Sequence, residues 1–412
     1  MKFGLENMRT LCAAMGHPEN SFRSVIVAGT NGKGSVTAMV SAALHAAGYH
    51  AARYTSPHLQ RLEERFVIGE REVETGELRD AAAAVQAAVE DLLRRGRFDA
   101  PPTFFECTTA TAFELFRRAG VDVAVLEVGL GGRLDATNVV LPLVAAITSI
   151  DLDHQAQLGT TVREIAQEKA GVIKPGVPVV IGPLPAEADA VVADACRARG
   201  AGLIRAGTDE QVRARVDPGG TTVTIQSPRR TLHDVRLALQ GRHQAVNAAI
   251  AVAVLDEMAP LGFAVDDEGV RAGLERARWA GRLERFQAGG CDVLLDAAHN
   301  PAGVRALAEY LGEIGWTRIT LVFGAMRDKD VRGMLEPLLP ICHLLICTTA
   351  ASPRAVAATD IAALAAGLTA GRSAIAVAPD PAAALGRAQQ EGYPIVAAGS
   401  IFLIGPLRGI LR

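Results

Sequence analysis

The chain has 412 residues, 49% hydrophobic and 21% charged, with 42 basic residues against 45 acidic ones. That length and apolar content allow a large core divided over roughly two or three domains. A net charge of -3, with no lysine/arginine block, excludes the electrostatic footprint of a nucleic-acid-binding protein.

Residues 1 to 9 interleave charged with apolar side chains and lack the uninterrupted apolar segment of a signal peptide. The stretch that organises the chain follows, where Val25-Ile26-Val27-Ala28 breaks into Gly29-Thr30-Asn31-Gly32-Lys33-Gly34-Ser35. Glycines let backbone amides turn inward as an anion nest, a lysine supplies charge for the outer phosphates, and a hydroxyl supplies an oxygen for Mg2+. Val36, Met39, Val40, Ala43, Leu44 and Ala47 recur at helical spacing up to Gly48, which would seat the phosphates on a helix N-terminus. The spacing departs from the usual P-loop, because Val27 stands five before Gly32 and Gly34 separates the lysine from Ser35. A generic kinase or GTPase is therefore disfavoured, and ATP or GTP binding is expected. The alternative is a plain glycine-rich turn between a buried strand and a helix.

Residues 51 to 56 read as a second strand ending in Ser56-Pro57-His58-Leu59, either a loop facing the nucleotide or a proline turn with an incidental serine and histidine. Residues 77 to 95 are alanine-rich and suit a surface helix. Thr103-Phe104-Phe105-Glu106 sets two aromatics beside a carboxylate, as core packing or as a platform for a flat ring. Residues 121 to 127 read as a buried strand ending in Glu127, where a P-loop protein holds Mg2+ directly or through water. The glycines that follow, up to Asn138, do not fit G-x-G-x-x-G.

The strand at 144 to 150 runs into Asp151-Leu152-Asp153-His154-Gln155, placing polar ligands at the same edge as Glu127. Thr161-Val162-Arg163-Glu164 reads as a capping box, and Lys169 falls in the last turn of that helix, where a cation complements the helix dipole. Residues 175 to 235 look like scaffold. Gly241 to Asn247 precedes an apolar helix, and residues 279 to 285 mark a domain junction near 284. The last third opens with a strand ending in Asp296-Ala297-Ala298-His299-Asn300-Pro301, and further strands at 319 to 323, 344 to 347, 374 to 377 and 395 to 397 alternate with helices. That alternation predicts a parallel α/β domain whose 296–300 turn sits where such sheets bind ligands.

Two features bound the setting. The longest apolar run, near 139 to 150, contains Pro142 and is too short to cross a bilayer as a helix. Six cysteines at 12, 107, 196, 291, 342 and 347 form no C-x-x-C pair, as expected for scattered thiols in a reducing, cytoplasmic compartment.

Taken together, Gly29-Thr-Asn-Gly-Lys-Gly-Ser35, Ser56-Pro-His58, Thr103-Phe-Phe-Glu106, Glu127-Val-Gly-Leu-Gly-Gly-Arg-Leu-Asp-Ala-Thr-Asn138, Leu152-Asp-His-Gln155, Glu168-Lys-Ala-Gly171, Gly281-Arg-Leu283 and Asp296-Ala-Ala-His-Asn-Pro301 resemble the folylpolyglutamate synthase/dihydrofolate synthase family of Mur-type ligases. The resemblance covers nearly the whole chain. It implies an α/β fold: a P-loop ATP-binding domain with a mostly parallel sheet over 1–283, and a smaller Rossmann-like glutamate-side domain over 284–412. It implies ATP contacts at Thr30, Asn31, Gly32, Lys33, Gly34, Ser35, Asn247, Arg282 and Asp296. Mg2+ would be held by Ser35, Ser56 and Glu127, with His154 and Lys169 at a second ion. Lys169 matches a lysine that the family carbamylates, which replaces the helix-dipole reading with an anionic ligand.

Thr103, Phe104, Phe105, Glu106 and Leu134 would line the pterin side, and His299 and Ser400 the glutamate side. The implied reaction forms an acyl phosphate from ATP and a folate carboxylate, which the amine of L-glutamate displaces. Lys33, Glu127, His154 and Lys169 would carry the catalysis, in a cleft whose closure excludes water, and the family is usually monomeric. The lead-in that contributes to dihydropteroate binding is short here, which puts folate glutamylation first and dihydrofolate synthesis second. Glu63 stands where relatives often have a neutral polar residue. A cell-wall ligase would need a further N-terminal domain that the stretch before Val25 has no room for. A nucleotide-dependent switch ATPase that transfers nothing is the alternative from another class.

Overall fold

Short runs of β-branched residues, buried on both faces, set the frame of the fold. The computed structural model describes residues 4–98, 100–369 and 373–412; residues 1 to 3 of the lead segment weighed above lie outside the described residues. Eight strands build the first sheet: β1 (Arg23–Ala28), β2 (Ala51–Tyr54), β3 (Phe66–Ile68), β4 (Arg71–Glu72), β5 (Val123–Glu127), β6 (Val144–Ile147), β7 (Val179–Ile181) and β8 (Leu203–Arg205). Their order is β4-β3-β2-β5-β1-β6-β7-β8. β1 lies parallel between β5 and β6, and Val25 to Ala28 are fully buried, as the central strand of a two-faced parallel sheet must be. β2 to β4 add an antiparallel edge.

β9 (Val212–Asp217), β10 (Gly220–Gln226) and β11 (Thr231–Leu237) form a three-stranded sheet in the order β11-β10-β9. The last sheet runs β12-β13-β17-β14-β15-β16, from β12 (Glu284–Ala288), β13 (Cys291–Leu295), β14 (Ile319–Phe323), β15 (Cys342–Cys347), β16 (Ala374–Val377) and β17 (Ile395–Ala398). All its pairings are parallel except that of β12 with β13. The parallel α/β domain expected from the sequence carries one antiparallel edge strand, β12. The reason is local: Gly289 and Gly290, at φ 60° and 76°, supply the two left-handed residues of a tight hairpin turn.

The chain divides into two compact units. The first comprises residues 1–213, 223–238 and 244–278, and the second 214–222, 239–243 and 279–412. In the first, one apolar cluster gathers Tyr54, Phe66, Phe113 and Phe116, and another gathers Ile147, Ile165, Ile173 and Ile181. The second unit has its own core around Leu294, Tyr310, Phe323 and Leu345. Among the described residues one helical stretch, residues 242–261, is long and apolar enough to cross a membrane, and it is 72% buried within the protein, as a core helix is.

Candidate active site

The phosphate-type loop leaves the end of β1 and enters the helix Lys33–Ala46 through Gly32, whose φ of 86° is left-handed. A Cβ on Gly32 would overlap Oδ1 of Asn247, so the turn needs glycine for both its backbone angle and this close approach. The loop is pinned from the end of β6. The amide of Thr30 donates to the carbonyl of Ser149 at 2.8 Å, and that of Asn31 to Ser149 Oγ at 2.9 Å. The hydroxyls of Thr148 and Ser149 donate to the carbonyl of Asn31 at 2.5 and 3.0 Å. Thr30 Oγ1 accepts from the amide of Asp151 at 3.1 Å. With the Asn31 carbonyl engaged there, the helix presents its first-turn amides, those of Gly34 and Ser35 among them, as the kind of donor surface that suits an anion.

Two ammonium groups converge on one carbonyl of the loop. Lys33 Nζ donates to the carbonyls of Gly29 and Thr30 at 3.0 and 3.1 Å, and Lys169 Nζ donates to Gly29 at 2.8 Å. Lys169 is 3% exposed. Burial, reinforced by the Lys33 charge, pushes its pKa down to about 7, against the pull of Asp153 and Asp135. Its helix, Val162–Ala170, starts as the sequence pattern predicts: Thr161 Oγ1 accepts the amide of Glu164, and the Glu164 carboxylate accepts that of Thr161.

Glu127, 4% exposed, ends β5 opposite Val27 of β1, and its Oε2 accepts the amide of Ser56 at 3.1 Å. The loop that follows is held by Asp135. Its carboxylate accepts the amides of Gly129 and Leu130 at 3.0 Å and the amide and hydroxyl of Thr137 at 3.0 and 2.6 Å. Burial raises the pKa of Asp135 against those hydrogen bonds. The loop is also stitched to the Lys169 helix: Arg133 pairs with Glu168 at 2.8 Å, and Asn138 Nδ2 donates to the carbonyls of Arg133 and Gly171 at 3.1 Å. Glu127 and Lys169 therefore belong to one hydrogen-bonded framework.

His154 caps the short helix Gln155–Leu158 at a left-handed φ of 51°. Its amide donates to Asp153 Oδ1 at 2.8 Å, and its Nε2 lies 4.0 Å from Asp153 Oδ2. On the aromatic side, Thr103 and Glu106 close a capping box at the start of Phe104–Ala119. Phe105 packs beside Tyr54, ring centroids 6.1 Å apart, while Phe104 is 62% exposed, so core packing does not describe it. Leu134 is half-buried. Asn247 Nδ2 donates to Gln244 Oε1 at 3.0 Å.

Four of the sequence candidates belong to the second unit. Asp296 follows the last residue of β13; its carboxylate accepts the amides of Leu283 and Ala298 at 2.9 and 2.8 Å, and burial raises its pKa against the pull of Arg282. His299 Nδ1 lies 2.9 Å from the carbonyl of Ala297, and Ser400 Oγ accepts the amide of Phe402 at the start of the C-terminal helix. Sequence reasoning gave no role to Thr148, Ser149 and Asp135, and read Asp153 only as one of the polar groups at the end of its strand. The signal was present in part, since a hydroxyl pair closing an apolar strand and the Asp-x-Thr spacing of an Asx turn are both readable patterns.

Ser35, Ser56 and Glu127 offer hard oxygen donors with one carboxylate, which suits Mg2+, an ion that keeps waters and substrate phosphates in its shell. Among the described residues no group of three or more His, Cys, Asp or Glu could hold a metal by itself.

Comparison with known proteins finds the Mur ligase middle domain over residues 78–255 and the Mur ligase glutamate ligase domain over residues 281–401. The Bacillus subtilis dihydrofolate synthase/folylpolyglutamate synthase is 38% identical over 368 residues, covering 88% of this chain and 84% of that one. A probable bifunctional folylpolyglutamate synthase/dihydropteroate synthase of Haloferax volcanii is 39% identical across 84% of this chain, which spans only 41% of that relative's length. The structure of Mycobacterium tuberculosis folylpolyglutamate synthase complexed with ADP superposes with a TM-score of 0.92 at 34% identity, covering 99% of this chain and 94% of that one.

Proposed function

The chain belongs to the folylpolyglutamate synthase/dihydrofolate synthase family of Mur ligases, and from that premise we propose that it is an ATP-dependent ligase joining L-glutamate to folates and to dihydropteroate. The observation that carries this reading is the convergence of the phosphate loop, Lys33 and Lys169 on the Gly29 carbonyl, on the framework that also holds Glu127.

In this reading Lys33 leaves its loop carbonyls to meet the outer phosphates of ATP, and the loop amides with Gly32, Gly34 and Ser35 cradle them. The substrate carboxylate attacks the γ-phosphorus, ADP departs, and the amine of glutamate displaces phosphate from the acyl phosphate to form an amide. Ser35, Ser56 and Glu127 would hold Mg2+, which when bound screens charge on the phosphates. We assign His154 and Lys169 to a second ion. A lysine pushed down to about 7 is largely neutral at slightly alkaline pH, and a neutral amine adds to CO2 and loses a proton to become the carbamate anion that such a site needs.

Asn247, Arg282 and Asp296 are proposed for the nucleotide. Thr103, Phe104, Phe105, Glu106 and Leu134 are proposed for the pterin, and His299 and Ser400 for glutamate. Six free cysteines support a reducing, cytoplasmic setting, and the family habit supports a monomer.

The test is ATP-dependent phosphate release with Mg2+ and glutamate, comparing dihydropteroate, a reduced folate and no pterin, with product mass read in parallel. Release coupled to both substrates and a gain of one glutamyl unit is expected. Release that ignores pterin and glutamate would sink the ligase reading and favour a switch ATPase.

A further inference from the structure

Arg65 ends the 3-10 turn Leu62–Arg65 that follows the Ser56-Pro57-His58 bend, and it is 7% exposed. Its Nε–H donates to His58 Nδ1 at 3.0 Å, and its guanidinium carbon lies 5.5 Å from the centroid of the Phe104 ring. The acids of the same turn are engaged elsewhere. Glu64 accepts the amides of Leu59, Gln60 and Arg61 at 2.7, 3.1 and 3.1 Å, and Glu63 accepts the Thr75 hydroxyl at 2.8 Å. Among the described residues Arg65 has no ion-pair partner.

A guanidinium this deeply placed ordinarily faces a carboxylate, because a buried charge without its opposite is strongly unfavourable. Arg65 instead meets a neutral imidazole and an aromatic ring. The remaining N–H groups of its fork match a carboxylate in plane and spacing. Beside it Phe104, 62% exposed, stands at the first position of the helix that the Thr103–Glu106 capping box starts, so an aromatic face and a two-pronged donor stand together. The bend that carries His58 also carries Ser56, whose amide meets Glu127.

We propose that Arg65 is the carboxylate receptor of the site, taking a carboxylate of the pterin-bearing substrate bidentately while Phe104 lies against the adjoining aromatic ring. His58 is its positioning residue, holding the plane of the fork. The inference rests on the ligase reading for the identity of that substrate. Two sources of carboxylate share the required chemistry: the aminobenzoyl ring of pteroate, and the glutamyl tail of folate.

The test is equilibrium binding of pteroate, its carboxamide and folate to the full chain and to Arg65→Met, which keeps the bulk and removes the charge. The wild type is expected to prefer pteroate or folate to the carboxamide by on the order of 10- to 100-fold, and the variant to lose that preference. Its melting temperature is expected to hold or rise, since a buried unpaired cation has gone, where a purely structural arginine would lower it. Loss confined to pteroate assigns the ring carboxylate, and loss confined to folate assigns the tail. Arg65→Lys keeps the charge without the fork and should bind with intermediate preference, which keeps the test decisive where the methionine variant folds poorly.

Wild-type preference in either variant overturns the proposal, as does a rise in the KM for glutamate alone. Phosphate release indifferent to pterin and glutamate would overturn the ligase reading while leaving the carboxylate preference measurable.

Discussion

Lys33 and Lys169 donate to the same carbonyl, and the charge of Lys33 helps to hold Lys169 neutral. Lys33 sits at the helix start, and replacing it with methionine is expected to lower ligase turnover by on the order of 100- to 1000-fold, the usual effect of deleting one preorganised donor; single-turnover phosphate release measures it. Lys169 carries a stability signature as well. In the unfolded chain it titrates near 10.5 and in the fold near 7, so between those values the unfolded state holds a proton that the folded state lacks. Stability of the CO2-free protein therefore climbs as pH rises from about 7 toward 10.5 and is lowest below about 7. Lys169→Met should abolish that slope and stabilise the protein near pH 6.5 by on the order of a few kcal/mol, while turnover disappears. Urea midpoints at pH 6.5 and 9 in CO2-free buffer decide it.

At the scale of elements, the sequence showed most clearly what a local rule encodes. The loop at Gly29–Ser35 announced a strand before it and a helix after it, and Thr161-x-x-Glu164 announced the helix that delivers Lys169. The same pattern at Thr103-x-x-Glu106 is equally a helix start, and the helix Phe104–Ala119 follows it. The β3–β4 edge was hidden because strands of three and two residues show no periodicity. β12 was hidden because its inward positions are Glu284, Phe286 and Ala288, with one large apolar side chain among them, too weak an alternation to read. The pinning of Asn31 by Thr148 and Ser149 was illegible for another reason: more than a hundred residues separate the partners, so only the parallel register of β1 with β6 joins them. Thr161→Ala tests the capped helix. Losing the cap should destabilise it by about 1 kcal/mol, seen as faster amide exchange over residues 162–170 and a lower Lys169-dependent turnover.

Over the whole molecule, each of the two units rests on its own apolar core, so damage to one can be assigned. Leu345, fully buried on β15, anchors the core of the second unit, and Leu345→Ala should cost about 3 kcal/mol of stability; thermal melts report the loss. Segments of the second unit interrupt the first twice, at 214–222 and 239–243, before the continuous run from 279. That interleaving sets an order of appearance during synthesis. Every strand of the nucleotide-side sheet has left the ribosome once Arg205 has, so the sheet can assemble early. Asn247, which fits against Gly32 and makes glycine obligatory there, emerges only later. A nascent chain would thus own a finished sheet before the residue that packs against its glycine loop, and on the assignment proposed above it would grip nucleotide fully only as the remainder of the protein arrives.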